Sequence, residues 1–315
     1  MRILTIILLC LMTTISYARD QINIVGSSTV YPFSTVVAER FGKSGTFKTP
    51  VIESTGTGGG MKLFCKGIGV QTPDMSNASR KIKPKEVNLC KQNGVTDITQ
   101  VIVGLDGIAF TSSVKGKQYN FTKEQLWQAM SSLGSKPTKW SDIDPSLPDY
   151  KIAILTPPAT SGTRDAWNSL VMKKGCPESI LKEQGKKACY LLREDGAVIE
   201  VGENDTLIVQ KLQSEDEKFG IFGYSYYLNN KDKTIAHKIE GVEISLEGIQ
   251  DGSYPISRPL FFYVKKQHVG VIPGIDKFIK DFTSKRAIGP RGYLTELGLI
   301  PLANPEEAIT PVKMD

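Results

Sequence analysis

The residues able to do chemistry in this 315-residue chain fall in short, hydroxyl-rich turns. Thr160-Ser161-Gly162-Thr163-Arg164-Asp165 follows an apolar run, Lys151-Ile152-Ala153-Ile154-Leu155, and a break at Pro157-Pro158. A strand, a turn and a helix start in that order leave up to about four backbone N–H groups unpaired, where the peptide dipoles sum to about half a positive charge. An oxyanion docked there is satisfied by geometry alone. Ser161 and Thr163 add hydroxyl donors, and Gly162 lets an anion approach the backbone. One such turn is most simply a helix cap. Its recurrence is what points to a ligand: Gly26-Ser27-Ser28-Thr29 follows the apolar run Ile22–Val25, and Ser54-Thr55-Gly56-Thr57-Gly58-Gly59-Gly60 follows Val51-Ile52-Glu53. Glycines in that density are costly to order and bring no buried side chain.

Two charged residues accompany these turns. Arg80 ends Asp74-Met75-Ser76-Asn77-Ala78-Ser79-Arg80, and its planar guanidinium fits an oxyanion bidentately. Asp106 interrupts Val101–Phe110, where an unpaired buried carboxylate would cost several kcal/mol, so it requires a donor, structural or ligand. Other chemistries lack their parts. Lys62 follows Met61 rather than glycine and precedes Leu63, so the Gly-Lys-Ser/Thr core of a nucleotide loop is missing. The two histidines, His237 and His268, and the cysteine spacings do not make a zinc site, and no Gly-x-Ser-x-Gly elbow is present for a serine hydrolase.

The elements that must position these turns alternate between strand and helix. Phe33, Val37 and Phe41 recur at helical spacing, with Pro32 in the first turn and Gly42 expected as the stop. Helices are expected near Thr122–Met130 and Ile275–Ser284, and strands at Phe219–Tyr224 and Leu260–Val264. This is an α/β pattern.

Composition is that of a globular chain of about two domains, 40% hydrophobic and 23% charged. Residues 1–18 read as a secretory leader, with Arg2, the apolar run Ile3–Ile15, and Ser16-Tyr17-Ala18 as a small-x-small cleavage site. Arg2 is the one charge in that segment, so its loss takes the net charge of +6 to +5. Lysines are scattered, which gives nucleic-acid binding little support. Four cysteines remain, an even number that in an exported chain points to disulfides. Three connectivities are open; the local pairs Cys65 with Cys90 and Cys176 with Cys189 are favoured, each closing a short loop.

Taken together, Gly26-Ser27-Ser28-Thr29-Val30-Tyr31-Pro32, Thr57-Gly58-Gly59-Gly60, Ala78-Ser79-Arg80 and Ser161-Gly162-Thr163 resemble the ordered anion-contacting turns of the periplasmic phosphate-binding proteins that feed phosphate ABC importers. Phe222-Gly223-Tyr224, Tyr254-Pro255-Ile256 and Gly292-Tyr293 resemble later landmarks of that family, so the likeness spans nearly all of residues 19–315. It implies a two-lobed α/β fold of the type II periplasmic binding-protein class, with the ligand in a cleft between lobes joined by two crossing strands. The crossings would lie near Gly107–Phe110 and Ser257–Val264, giving one lobe of residues 19–106 plus 257–315 and a second of residues 107–256.

The resemblance further implies high-affinity capture of inorganic phosphate by a periplasmic monomer, without cofactor or metal, and delivery to a membrane permease. Ser28, Thr29 and Val30 would hold the anion, Thr57 and Ser79 would add hydroxyls, and Ser161, Gly162 and Thr163 would close from the other lobe. The chain departs from the family where many members have an aspartate at Ser79 and an arginine at about Pro157. Arg80 is the expected substitute cation, Arg164 a second candidate, and Asp106 the expected acceptor. Capture of sulfate, molybdate or a phosphonate, or an exported phosphatase-like hydrolase, are the alternatives.

Overall fold

The computed structural model describes residues 19–202, 205–304 and 308–314; the expected leader, residues 1–18, lies outside the described residues. Strand β1 (Asn23–Gly26) leads into helix α1 (Tyr31–Lys43), β2 (Val51–Ser54) into α2 (Gly56–Phe64), and β3 (Met75–Ala78) precedes α3 (Pro84–Gln92). Then comes β4 (Ile98–Ser113), 16 residues long. The middle of the chain forms β5 (Asn120–Phe121), α4 (Lys123–Met130), β6 (Ile154–Thr156) and α5 (Gly162–Trp167), which continues through a π-helical stretch, Asn168–Met172, into α6 (Lys173–Gly175). It goes on as α7 (Glu178–Glu183), β7 (Val198–Glu200), α8 (Asp205–Ser214), β8 (Phe219–Gly223), α9 (Tyr224–Leu228), β9 (Thr234–Ala236), β10 (Lys238–Ile239) and α10 (Leu246–Gln250). The chain closes with β11 (Ser257–Lys265), α11 (Ile275–Phe282), α12 (Lys285–Ile288), α13 (Tyr293–Glu296) and β12 (Ile309–Pro311).

The architecture is a mixed α/β fold of two lobes around a continuous curled sheet ordered β2-β1-β3-β11-β4-β8-β6-β7. Strand β4 belongs to both lobes. Residues 98–107 pair antiparallel with β11, and residues 108–112 pair antiparallel with β8. At about 3.3 Å per residue a strand of this length runs roughly 50 Å, enough to traverse both lobes. On one side β1 lies parallel between β2 and β3; on the other β6 lies parallel between β7 and β8. Parallel neighbours need helical crossovers, and the intervening helices supply them.

Each lobe has its own apolar cluster. One gathers Ile24, Val37, Phe41, Phe262, Phe278 and Phe282; α1 contributes its Val37–Phe41 face as the spacing predicts. Helix α1 continues to Lys43, one residue past Gly42. The glycine is there for packing instead, since a Cβ on it would sit 1.9 Å from the Thr49 hydroxyl. The other cluster centres on Phe110, stacked on Phe219 at 5.3 Å and edge-on to Phe121 at 5.1 Å, with Trp140 and Trp167 beside them. Both local disulfides, Cys65–Cys90 and Cys176–Cys189, are formed.

Candidate functional site

Two of the three turns singled out in the sequence converge where the lobes meet. Ser28, Thr29, Asp106, Ser161, Gly162 and Thr163 line a cavity of about 410 Å³, together with Tyr226, Asn229, Asp205 and Glu296. Two helix starts face it from opposite sides. Ser27, Ser28, Thr29 and Val30 form the turn between β1 and α1; the Val30 side chain is fully buried in the core, so only its backbone can serve a ligand. The N–H groups of Ser28, Thr29 and Val30 meet no acceptor among the described residues, which leaves them as donors. From the other lobe, Ser161 caps α5 by accepting from the Thr163 N–H at 3.2 Å.

The two starts nearly touch. The Thr29 hydroxyl donates to the Gly162 carbonyl at 3.3 Å, and a Cβ on Gly162 would lie 2.7 Å from the Thr29 Cα. Glycine is therefore required at 162 for the lobes to meet in this way. Behind the first turn, glycine is required again: a Cβ on Gly60 would lie 2.5 Å from the Gly26 Cα, so the glycine-rich start of α2 packs flat against β1. Of the glycines read as a ligand loop, Gly60 alone is thus explained by close helix–strand packing; a Cβ on Gly59 would come no closer than 3.5 Å to a neighbour, and one on Gly56 would meet nothing within 4 Å.

Asp106, which lines the cavity, is paired with Arg258, which is not itself among the lining residues. They are directly opposite in the β4–β11 ladder, and the Arg258 Nε donates to an Asp106 oxygen at 3.3 Å. The Arg258 guanidinium also donates to the Thr29 hydroxyl at 2.8 Å and to Ser169 at 3.3 Å, and lies 3.5 Å from the Asp165 carboxylate. It thereby joins groups from both lobes. Burial pushes the Asp106 carboxyl above the ordinary carboxylate range, against the pull of Arg258, and Asp165 adds to the rise. A carboxyl so placed can hold or share a proton with whatever binds beside it.

Arg258 is the residue the sequence reading missed. Its signal was present: an arginine between Ser257 and the apolar run Leu260–Val264 is as costly unpaired as Asp106 is in its own strand. Arg80 is placed elsewhere. Its guanidinium is held by the Glu86 carboxylate at 2.7 and 2.9 Å, and it does not line the cavity. Glu86 stands near the start of α3 and accepts from the Lys83 N–H at 2.8 Å, so the pair secures that helix. Thr57 and Ser79 bond to one another at 3.1 Å, adjacent to the first turn, and neither borders the cavity. Arg164 is buried beneath the Ser161 turn, bonded to Thr156, the Pro157 carbonyl and Glu200.

No group of three or more His, Cys, Asp or Glu side chains suited to a metal ion occurs among the described residues. Both histidines lie away from the cavity. His237 packs among Phe110, Phe121 and Phe219, and His268 bonds Asp74 at 2.6 Å. No helix among the described residues is long and apolar enough to cross a membrane.

Comparisons with known proteins identify the family and the fold. Residues 13–286 match the model of a PBP superfamily domain. Protein SphX of Synechococcus elongatus is 31% identical over 259 residues, covering 80% of this chain and 70% of the relative. Phosphate-binding protein PstS of Staphylococcus saprophyticus is 31% identical over 262 residues, covering 81% and 73%. The crystal structure of a possible phosphate binding protein from Planctomyces limnophilus superposes with a TM-score of 0.74 at 28% identity, covering 90% of this chain and 93% of that one. The chain belongs to the PBP superfamily, as a PstS-like member with the two-lobed periplasmic binding-protein fold.

Proposed function

We propose that the chain captures inorganic phosphate between its lobes, residues 19–106 with 257–315 forming one and 107–256 the other, and delivers it to the permease of an ABC importer. The observation that carries this reading is the Asp106–Arg258 pair, whose carboxylate lines a cavity that also presents the hydroxyls of Ser28, Thr29, Ser161 and Thr163. Arg258 supplies the countercharge that a desolvated anion demands, and the Ser28–Val30 N–H groups with Ser161, Gly162 and Thr163 supply directed donors from both sides. Asp106 is the acceptor. Phosphate near neutral pH carries about one proton, since the second pKa of a phosphate ester is ≈ 6, and it can donate that proton to a carboxylate. Sulfate has none to donate, and a site left with an unpaired buried acceptor rejects such an analogue by roughly 10⁴–10⁵.

Capture by lobe closure involves no covalent step. The names of the relatives support a binding role, and no histidine borders the cavity to act as a base for Ser28 or Ser161. The leader expected at residues 1–18 would export the chain to the periplasm, where it would act as a monomer. Calorimetry on residues 19–315 with phosphate, sulfate, arsenate and a phosphonate in turn tests the reading: phosphate is expected to bind with a micromolar or tighter Kd, about −8 kcal/mol or more favourable. Binding of sulfate without phosphate would overturn it. Turnover of an aryl phosphate would move the chain to the hydrolase alternative.

A further inference from the structure

We propose that a second cavity, apart from the cleft and lying between α1 and the segment that runs from α11 to α13, binds a linear oligophosphate, the condensed form of the phosphate anion; this goes beyond the phosphate reading above and stands without it. The cavity measures about 350 Å³. Arg40, Lys43, Lys277 and Arg286 line it, and Asp281 is the one carboxylate among the described residues that do, so its walls carry a net charge of +3. No described residue borders both cavities. Helix α1 runs from one to the other: Pro32 and Phe33 line the cleft, and Arg40 stands roughly 12 Å further along at about 1.5 Å per residue.

The packing that gathers these cations is apolar. Phe41 in α1 meets Phe278 in α11 edge-on at 5.5 Å, and Arg40 and Lys277, each one position before a ring of that pair, come to the same rim. The Arg40 guanidinium lies over the Tyr293 ring, 4.0 Å from its centroid. Gly292 sets the ring there, since a Cβ on it would lie 2.3 Å from the Ala287 carbonyl oxygen and force α13 away from α12, which bears Arg286. Stacking of this kind holds a guanidinium by its face and leaves the N–H groups at its edge to meet an oxyanion. They meet nothing else: Arg40, Lys43 and Arg286 enter no ion pair or side-chain hydrogen bond among the described residues, whereas Lys277 holds Asp281.

Helix dipoles account for part of this charge. Arg40 and Lys43 stand in the last turn of α1, where cations are favoured. Arg286 stands in the first turn of α12, where the dipole offers a cation nothing, and no protein carboxylate is set against it among the described residues. Like charges gathered round a hollow repel one another, and a bound anion offsets that repulsion. The two arginines present planar forks suited to phosphoryl oxygens. A single phosphate of at most about two charges leaves the wall in excess, whereas a chain of phosphates carries more charge on one body. The cations line a hollow instead of a projecting face, which suits a soluble anion over a flat lipid surface.

Calorimetry of residues 19–315 titrated with sodium tripolyphosphate, with the cleft first filled by inorganic phosphate and again without it, tests the site. Saturable binding that added phosphate does not abolish is expected. Arg40 and Arg286 are exposed, so replacing them keeps the fold. The Arg40→Gln, Arg286→Gln variant is expected to bind tripolyphosphate at least about tenfold more weakly, with phosphate binding unchanged. Tyr293→Leu, which keeps every charge, is expected to weaken it about threefold, and Tyr293→Phe to restore it. Lys115→Gln, Lys139→Gln, which removes the same charge away from both cavities, is expected to stay within about twofold of wild type. Absence of saturable tripolyphosphate binding, its loss once phosphate fills the cleft, or equal weakening in the charge-matched variant would each overturn the site. Equally tight binding of an oligoglutamate of the same charge, or displacement of tripolyphosphate by phosphatidylglycerol vesicles, would overturn it too. A chain that binds tripolyphosphate at this cavity but gives no response to phosphate alone overturns the phosphate reading and leaves the site standing.

Discussion

Gly162→Ala is the most direct probe of the cleft, because one methyl group is placed where two lobes meet. Its Cβ would lie 2.7 Å from the Thr29 Cα and 3.3 Å from the Thr29 N and Cβ, whereas ordinary contacts begin at 3.4 Å. The first of these atoms is backbone in a turn tied by the Ser27 N–H to Asn77 and by the Tyr31 N–H to Ser27, so it cannot step aside locally. Relief comes from separating the lobes by about 1 Å. That distance breaks the 3.3 Å Thr29–Gly162 hydrogen bond and displaces the Ser161–Thr163 wall from any ligand held by Ser28–Val30. Breaking two or three hydrogen bonds to the anion, at about 0.5–1.5 kcal/mol each, predicts weaker binding by about 1–4.5 kcal/mol, or roughly 5- to 2,000-fold in phosphate Kd. The ligand-free lobes keep their cores, so the melting temperature without phosphate is expected to stay within a few degrees of wild type, while the upward shift on adding phosphate disappears. Calorimetry and paired thermal melts measure both. Gly69→Ala, with open space at its Cβ, is the control. A Gly162→Ala protein that binds phosphate within about threefold of wild type would refute the closure geometry.

Other perturbations separate the roles of the charges. Arg258→Met is expected to weaken phosphate binding by at least tenfold, since one charge-assisted contact contributes about 1.5–3 kcal/mol, whereas Arg80→Met, whose partner is Glu86, should stay within about threefold by calorimetry. Asp106→Asn should lower phosphate affinity and admit sulfate, read by competition between the two anions. Burial holds the His237 imidazole at about 3, below its ordinary 6.5. The unfolded chain then binds the proton more readily, so the stability this residue contributes is complete above pH 6.5 and is lost as pH falls toward 3. Urea unfolding at pH 7 and 4.5 should differ by about 2–3 kcal/mol from this residue, a difference His237→Gln removes. Replacing Cys176 and Cys189 by serine opens a 13-residue span and should cost about 3 kcal/mol in the same assay.

The local parts of the site were legible because helix starts carry their signature in consecutive residues. Ser28-Thr29 and Ser161-Gly162-Thr163 needed no partner to be recognised, and the alternation of strands and helices around them was enough for an α/β expectation, whereas the two lobes were implied by the family resemblance. The cation was not legible in the same way. Arg80 drew attention by standing beside Ser79, but six residues on Glu86 meets it at the start of α3, and it does not line the cavity. Arg258 is 152 residues from Asp106 and becomes its neighbour only through the β4–β11 register. What could have exposed it is the rule already applied to Asp106: two opposite charges, each alone in an apolar strand, satisfy one another. The contact between Gly162 and Thr29 is likewise a matter of how the lobes sit, which no run of sequence encodes.

The lobes are joined by a strand that neither of them owns. Because β4 passes without interruption from its pairing with β11 to its pairing with β8, changing over between Gly107 and Ile108, a rotation of one lobe against the other has to be absorbed as added or released twist in that stretch. Asp106 and Arg258 sit at the changeover. The resistance of that stretch to such a turn is set by its ladder hydrogen bonds and by Gly104 and Gly107 on either side of the carboxylate.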